Sequence, residues 1–210
     1  MVRRGVAAGV VCAVVVLVAG CTGSGDPDLP GLTASPSATR TPTPTPSPSE
    51  SPTSIAGTVV DLSDPELGIV FEDVPDLSGD EADVYNWLST YRVEYWRTLL
   101  SNEPSPAFEV FTSPELQADM AQNAAENAAD GWIVEGTFHA TIGDIVVEGD
   151  TATATTCDDY TSVRITDRDG PLTLEELGAE VPVLLQATLA RSTRGEGTWT
   201  VLTTDRIGTC

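Results

Sequence analysis

The sequence predicts an α+β domain in which helices come first and an antiparallel sheet follows. Apolar residues recur with helical spacing between residues 79 and 130, and from residue 132 onward they alternate with polar residues as they do in strands. Glycine-containing turns separate the alternating segments. Helices followed by a meander of strands are typical of the α+β class.

The longest predicted helix runs from about Gly79 to Leu100. Ser78 and Glu81 have the spacing of a capping box, and acidic residues in the first turn favour the positive end of the helix dipole. Pro104 prevents continuation beyond this segment. The apolar stripe has a large aromatic component and consists of Val84, Trp87, Leu88, Tyr91, Tyr95 and Leu99.

Two shorter helical segments follow. The first covers residues 107–111, and the second begins with Ser113 as N-cap and Pro114 at the first helical position. Asp130-Gly131 marks its end, because glycine is the favoured residue just past a helix C-terminus.

The period changes to two after Gly131. We predict strands over residues 132–142, 144–147, 151–165, 181–189 and 199–207. Turns are expected at residues 148–150, 167–170 and 194–197. Residues 68–71 form a further apolar segment that either adds an edge strand or packs over the end of the domain.

Residues 1–21 have the features of an export signal. Arg3 and Arg4 precede an uncharged apolar stretch that is too short to span a bilayer as a helix. The stretch ends in Val18-Ala19-Gly20-Cys21, which resembles the bacterial lipobox. That resemblance implies that Cys21 is acylated and becomes the mature N-terminus, which would anchor the protein at the outer face of the cytoplasmic membrane, in the cell envelope. The alternatives are an ordinary signal peptide with an incidental cysteine and a short membrane anchor.

Residues 22–56 differ in composition from everything after them. Fourteen of these 35 residues are Ser or Thr and eight are Pro, with no apolar periodicity. Such a segment cannot bury enough apolar surface to offset its backbone entropy. We therefore expect a disordered, extended tether, followed by one domain over residues 57–210.

The cysteines predict one disulfide. Cys12 lies in the signal and Cys21 in the lipobox, so the domain retains Cys157 and Cys210. A remaining pair in an exported protein is expected to be oxidised. A metal site or a reactive thiol is the alternative, but the chain has one His and no CxxC motif, and we predict no metal site.

Charge excludes one class of partner. The formal net charge is −22, and the domain holds 29 acidic residues against seven arginines, with no lysine. Binding to nucleic acid needs clustered basic residues, so we expect no nucleic-acid partner.

The order of elements carries a resemblance to a known superfamily. The chain resembles the nuclear transport factor two-like superfamily in its long first helix and its two shorter helices. It also resembles that superfamily in the Gly149-Asp150-Thr151-Ala152 hairpin and the final Gly197-Thr198-Trp199-Thr200-Val201 strand. More closely, the chain resembles exported lipoproteins of actinobacteria that have such a domain. The resemblance covers roughly residues 75–210 and implies a cone, in which a curved sheet wraps the long helix.

The resemblance also implies where a ligand would bind. Some members of the superfamily are isomerases or cyclases that pair a carboxylate with a hydroxyl in the cone, and Tyr91 and Tyr95 with Asp158 or Asp159 are the candidates here. The alternative is that both tyrosines are core residues and that the aspartates end a strand. We expect Tyr91, Tyr95 and Trp87 to line the cavity, and we assign no catalytic residue and no cofactor.

Two further features have simple structural interpretations. His139 falls on the polar face of its strand and is expected to be exposed. Asp167-Arg168-Asp169-Gly170 begins like a calcium loop, but the positions that follow lack the required ligands, so we predict a hairpin turn.

Taken together, the sequence favours a surface-anchored lipoprotein whose domain binds a small apolar ligand or a cell-envelope protein without chemistry. An isomerase, dehydratase or cyclase acting in the cavity is the alternative, and an accessory or decoy surface protein whose cone is filled by side chains is a third hypothesis.

Overall fold

The computed structural model describes residues 57–210, which form a mixed α+β domain. Three helices lie before most of the strands: α1 (Asp80–Ser101), α2 (Phe108–Phe111) and α3 (Pro114–Asp130). The strands are β1 (Ile69–Glu72), β2 (Ile133–Gly136), β3 (Phe138–Glu148), β4 (Thr151–Asp159), β5 (Val163–Thr166), β6 (Pro171–Leu172), β7 (Val183–Arg191) and β8 (Trp199–Thr209). The predicted signal, tether and Cys21 lie outside the described residues.

The strands form two open sheets. The larger has the order β1-β3-β4-β7-β8, and the smaller has the order β2-β5-β6. All pairings are antiparallel except that of β1, which lies parallel to β3 at the edge of the larger sheet. The segment at residues 68–71 therefore supplies an edge strand, one of the two roles expected for it.

Two strand predictions were wrong in their extent. The strand expected over residues 151–165 divides into β4 and β5, which belong to different sheets, and the strand expected over residues 132–142 divides into β2 and β3. Gly136 explains the second break: its φ is +107°, and a Cβ there would lie 2.2 Å from the carbonyl oxygen of Ser162. Only glycine allows this turn and this close approach.

Strand β3 is longer than predicted. It runs through Asp144, whose φ of 47° accompanies a bulge in the β3–β4 register between Gly143 and Val146. Residues 138–142 and 144–147, which were expected in separate strands, therefore belong to one bulged strand.

The helix ends follow their sequence signals at α3 and depart from them at α1. Ser113 caps α3 by accepting a hydrogen bond from the backbone N–H of Leu116, and Gly131 ends the helix in the left-handed conformation. At α1 the N-cap is Gly79, and no side chain caps the helix, so the predicted capping box does not form. Asp80 instead receives two hydrogen bonds from Arg191 on β7.

Helix α1 is buried on more sides than one apolar stripe predicts. It packs mainly against β3 and also contacts β8, α2 and α3. Residues off the predicted stripe, such as Tyr85, Ser89, Arg92 and Trp96, are as buried as Val84 and Leu88. The helix is therefore the centre of the core, and a charged residue lies within it.

Cys157 and Cys210 form the predicted disulfide. Their Cα atoms are 6.0 Å apart, which is in the usual range for a bridged pair. The bridge joins the middle strand β4 to the residue after β8. Among residues 57–210, no helix is long and apolar enough to cross a bilayer.

Candidate ligand cavity

A cavity of about 350 Å³ lies between α1, α3 and the strands. Tyr91 and Tyr95 of α1 line it, together with Asp158 and Tyr160 at the end of β4. The loop between β6 and β7 covers a further part with Leu174, Leu177 and Ala179. Most other lining side chains are apolar, namely Leu99, Met120, Trp132, Ile165, Val183 and Leu185. This combination of apolar walls and a few converging polar groups is typical of small-molecule sites.

A buried ion pair forms the polar part of the wall. Nη1 of Arg92 lies 3.2 Å from Oδ2 of Asp158, and each side chain is at most 2% exposed. Nη2 of Arg92 donates a hydrogen bond of 2.6 Å to Oγ1 of Thr156. The guanidinium also lies over the rings of Tyr91 and Tyr95, at 5.3 and 5.7 Å from their centroids. Arg92 therefore occupies the aromatic faces that a cationic ligand would use.

Two tyrosine hydroxyls extend the network from Asp158. The hydroxyl of Tyr160 lies 3.1 Å from that of Tyr95 and 3.5 Å from Oδ2 of Asp158. The Tyr91 hydroxyl makes longer contacts, 3.5 Å to Oγ1 of Thr204 and 4.0 Å to the sulfur of Met120. The hydroxyls therefore offer hydrogen-bonding groups at the cavity wall, where the other lining side chains are mostly apolar.

Burial governs the protonation of these groups. It raises the pKa of Tyr95 to about 12 and raises the pKa values of Tyr91 and Tyr160. It also raises the pKa of the Asp158 carboxyl, although the Arg92 guanidinium opposes this. All three tyrosines are thus neutral donors at neutral pH, while Asp158 is stabilised as an anion chiefly by Arg92.

The ion pair is incompletely hydrogen-bonded. Within the described part of the chain, Oδ1 of Asp158 and Nε of Arg92 are buried without a hydrogen-bond partner. Such atoms lose their water on folding and gain no bond in return. The pair is consequently a costly feature of the core, and its charges depend on each other.

The structure brings together part of the predicted cavity set. Tyr91 and Tyr95 line the cavity with Asp158, whereas Trp87 lies in a separate groove of about 560 Å³ with Pro104 and Val110. The indole N–H of Trp87 donates to the carbonyl oxygen of Gly197.

The other singled-out residues lie away from the cavity lining. Asp159 accepts a hydrogen bond from the N–H of Thr161. His139 is partly exposed and contacts Glu72 at 2.8 Å. Asp167 accepts bonds from the N–H groups of Asp169 and Gly170, as expected for a turn. Residues 57–210 contain no group of three or more His, Cys, Asp or Glu side chains placed to hold a metal ion.

Arg92, Tyr160 and Arg206 line the cavity but are not among the cavity residues predicted from the sequence. The sequence of β4 does contain a signal, because every second residue of this strand faces the core. These buried residues are Ala152, Ala154, Thr156 and Asp158. This alternation could have selected Asp158 over Asp159. Arg92 gave no such signal, because an arginine in an amphipathic helix is ordinarily expected at the surface.

No protein-family model matches the chain, and no curated protein matches it. Among solved structures, the chain is similar to the intermembrane space region of the chloroplast protein ARC6, at 12% identity and a TM-score of 0.43. The similarity covers 60% of this chain and 95% of that one.

Proposed function

We propose that this chain is a surface-tethered lipoprotein whose domain binds a small apolar ligand in the cavity without changing it chemically. The observation that carries the proposal is the cavity itself, with apolar walls and a wall carboxylate that is already neutralised by Arg92. Burial of apolar ligand surface supplies the affinity, and the tyrosine hydroxyls orient a polar group of the ligand.

The anchor and tether complete this proposal. Acylation at Cys21 would hold the chain at the outer face of the cytoplasmic membrane, because two or more acyl chains anchor stably where one does not. Residues 22–56 would hold the domain away from that surface. Mass spectrometry of the mature N-terminus tests the anchor: we expect a lipid-modified Cys21, and an unmodified or uncleaved N-terminus would contradict it.

We also propose that the domain adopts the cone arrangement of the nuclear transport factor two-like superfamily. Support comes from the long helix α1, which packs against β3 of the five-stranded sheet and also contacts β8 at its far edge. In a cone, the cavity described above would correspond to the interior between helix and sheet.

Ligand binding can be tested with the neutral fluorophore N-phenyl-naphthylamine and the full chain. We expect its fluorescence to rise on binding and expect Ala179→Trp to reduce this rise, because Ala179 lines the cavity. Ala125→Trp is a matched control, since Ala125 is exposed on α3 and does not line the cavity. Equal fluorescence with both variants would contradict the proposal.

Catalysis is the second candidate, because Asp158, Tyr95 and Tyr160 do converge at the cavity wall. A general base must reach a substrate proton and must be free to accept it. Asp158 is buried and bonded to Arg92, which favours binding over proton transfer. Turnover of an enolisable ketone that is abolished by Asp158→Asn, with the variant still folded, would support the enzyme instead.

A further inference from the structure

Arg206 lies at the exposed edge of the cavity. It is on β8, two residues beyond Thr204, and both side chains line the cavity. Its guanidinium lies beside the loop between β6 and β7, since a Cβ added at Gly178 would be 3.4 Å from Nη1 of Arg206. Gly178 also has a φ of +62°. The absence of a side chain at Gly178 therefore leaves room for the guanidinium at the cavity edge.

Arg206 differs from most other arginines of the domain in having no partner. Arg92, Arg97, Arg164 and Arg191 form ion pairs. Arg194 donates to the carbonyl oxygens of Glu109 and Val110. Within residues 57–210, only Arg168 and Arg206 make neither kind of side-chain contact. With 29 acidic residues available, an unpaired guanidinium at the cavity edge is a free site for an anion.

The chemistry of the cavity limits the anion. Its interior charges, Arg92 and Asp158, neutralise each other, and its walls are mostly apolar. A single guanidinium presents a planar fork of donors that matches one carboxylate. The strong negative charge of the domain disfavours ligands of higher charge.

We propose that the ligand is a small amphipathic carboxylate, whose carboxylate group binds Arg206 while its apolar body enters the cavity. This inference rests on the proposed function, because it names the class of ligand that the same cavity would take. It assigns specificity to Arg206 and affinity to the apolar walls.

Octanoate and octanol test the proposal as a pair of probes, because they share an apolar chain and differ in charge. Calorimetric titration of the full chain should show octanoate binding more tightly than octanol. Arg206→Gln should weaken octanoate binding about tenfold or more, as expected for the loss of a charge-assisted bond. The same substitution should leave octanol binding within about twofold, since the apolar walls are unchanged.

Arg168→Gln is the matched control, because it removes the same charge from another exposed, unpaired arginine that does not line the cavity. We expect it to leave both affinities unchanged. Equal weakening of octanoate binding by both variants would overturn the role of Arg206. Octanol binding as tightly as octanoate would overturn the carboxylate preference alone. Binding of neither probe would overturn the proposed function as well.

Discussion

Arg92 and Asp158 form an ion pair of 3.2 Å inside the domain, between the central helix α1 and the central strand β4. Neither residue has an alternative partner of opposite charge among the ion pairs of the described residues. Removing one residue would leave the other charged and buried, whereas replacing both with apolar residues would remove the desolvation penalty. Breaking the pair with a single substitution should therefore cost more free energy of unfolding than the intact pair contributes.

The first prediction follows from this asymmetry. Asp158→Leu and Arg92→Met should each lower the free energy of unfolding by about 3–5 kcal/mol, the usual cost of an unpaired buried charge. The double variant should be more stable than either single variant. Urea unfolding with the disulfide intact measures all three, and losses that simply add in the double variant would contradict the interpretation.

The second prediction concerns the four tyrosines of the chain, Tyr85, Tyr91, Tyr95 and Tyr160. Burial raises the pKa of each, to about 12 for Tyr85 and Tyr95. The native protein should therefore show almost no tyrosinate absorbance near pH 10, where unfolded tyrosines are half ionised. The urea-unfolded protein is the control, and native titration with a midpoint near pH 10 would contradict the buried positions.

The same shifts determine how stability changes at alkaline pH. Since the unfolded state releases these protons first, stability should fall as pH rises above about 10. The fall is at most about 1.4 kcal/mol per pH unit for each tyrosine, and it continues until the native groups ionise as well. Urea unfolding at a series of pH values measures this slope.

The helical and strand periods in the sequence predicted the class of fold and most of its elements. Local signals were sufficient where a short motif acts by itself, as with Ser113 and Gly131 around α3. Local signals failed where residues distant in the sequence determine the geometry. Ser162 lies so close to Gly136 that the predicted strand is divided there. At the start of α1, Asp80 accepts hydrogen bonds from Arg191. The Asp158 partner Arg92 is 66 positions away in the sequence, and no spacing rule connects the two.

The third prediction concerns the disulfide. Cys157→Ser with Cys210→Ser should lower the free energy of unfolding by about 2–4 kcal/mol, because the bridge closes a long loop in the unfolded chain. Reduction of the wild-type protein should lower it by the same amount and should not affect the double variant. The bridge is also adjacent to the hydrogen bond from the N–H of Cys210 to the carbonyl oxygen of Pro182. Proteolysis of the C-terminus should therefore be faster in the reduced wild-type protein and in the double variant than in the oxidised wild-type protein.

The fourth prediction concerns acid. Arg191 holds the pKa of Asp80 below its usual value, chiefly through its hydrogen bonds to that carboxylate. The stabilisation is therefore complete above the unfolded pKa of about 4 and is lost as pH falls through the lower native pKa. Between neutral and acid pH, the melting temperature of the Asp80→Asn variant should therefore fall slightly less than that of the wild-type protein. Asp76→Asn is the control, because Asp76 forms no ion pair in residues 57–210, and an equal effect of both variants would contradict the prediction.

The fifth prediction concerns the segment before β1. Asn86 on α1 accepts a hydrogen bond from the N–H of Val60 and donates one to the carbonyl oxygen of Thr58, at 2.8 and 2.7 Å. Asn86 is buried, so Asn86→Ala leaves two backbone groups without these bonds and should cost about 1–3 kcal/mol. Ser89→Ala is the matched control, because within residues 57–210 the Ser89 hydroxyl donates only to the Asn86 carbonyl oxygen of its own helix. Hydrogen exchange should accelerate at residues 58–60 in Asn86→Ala alone, and unchanged exchange there would show that these bonds do not hold the segment against α1.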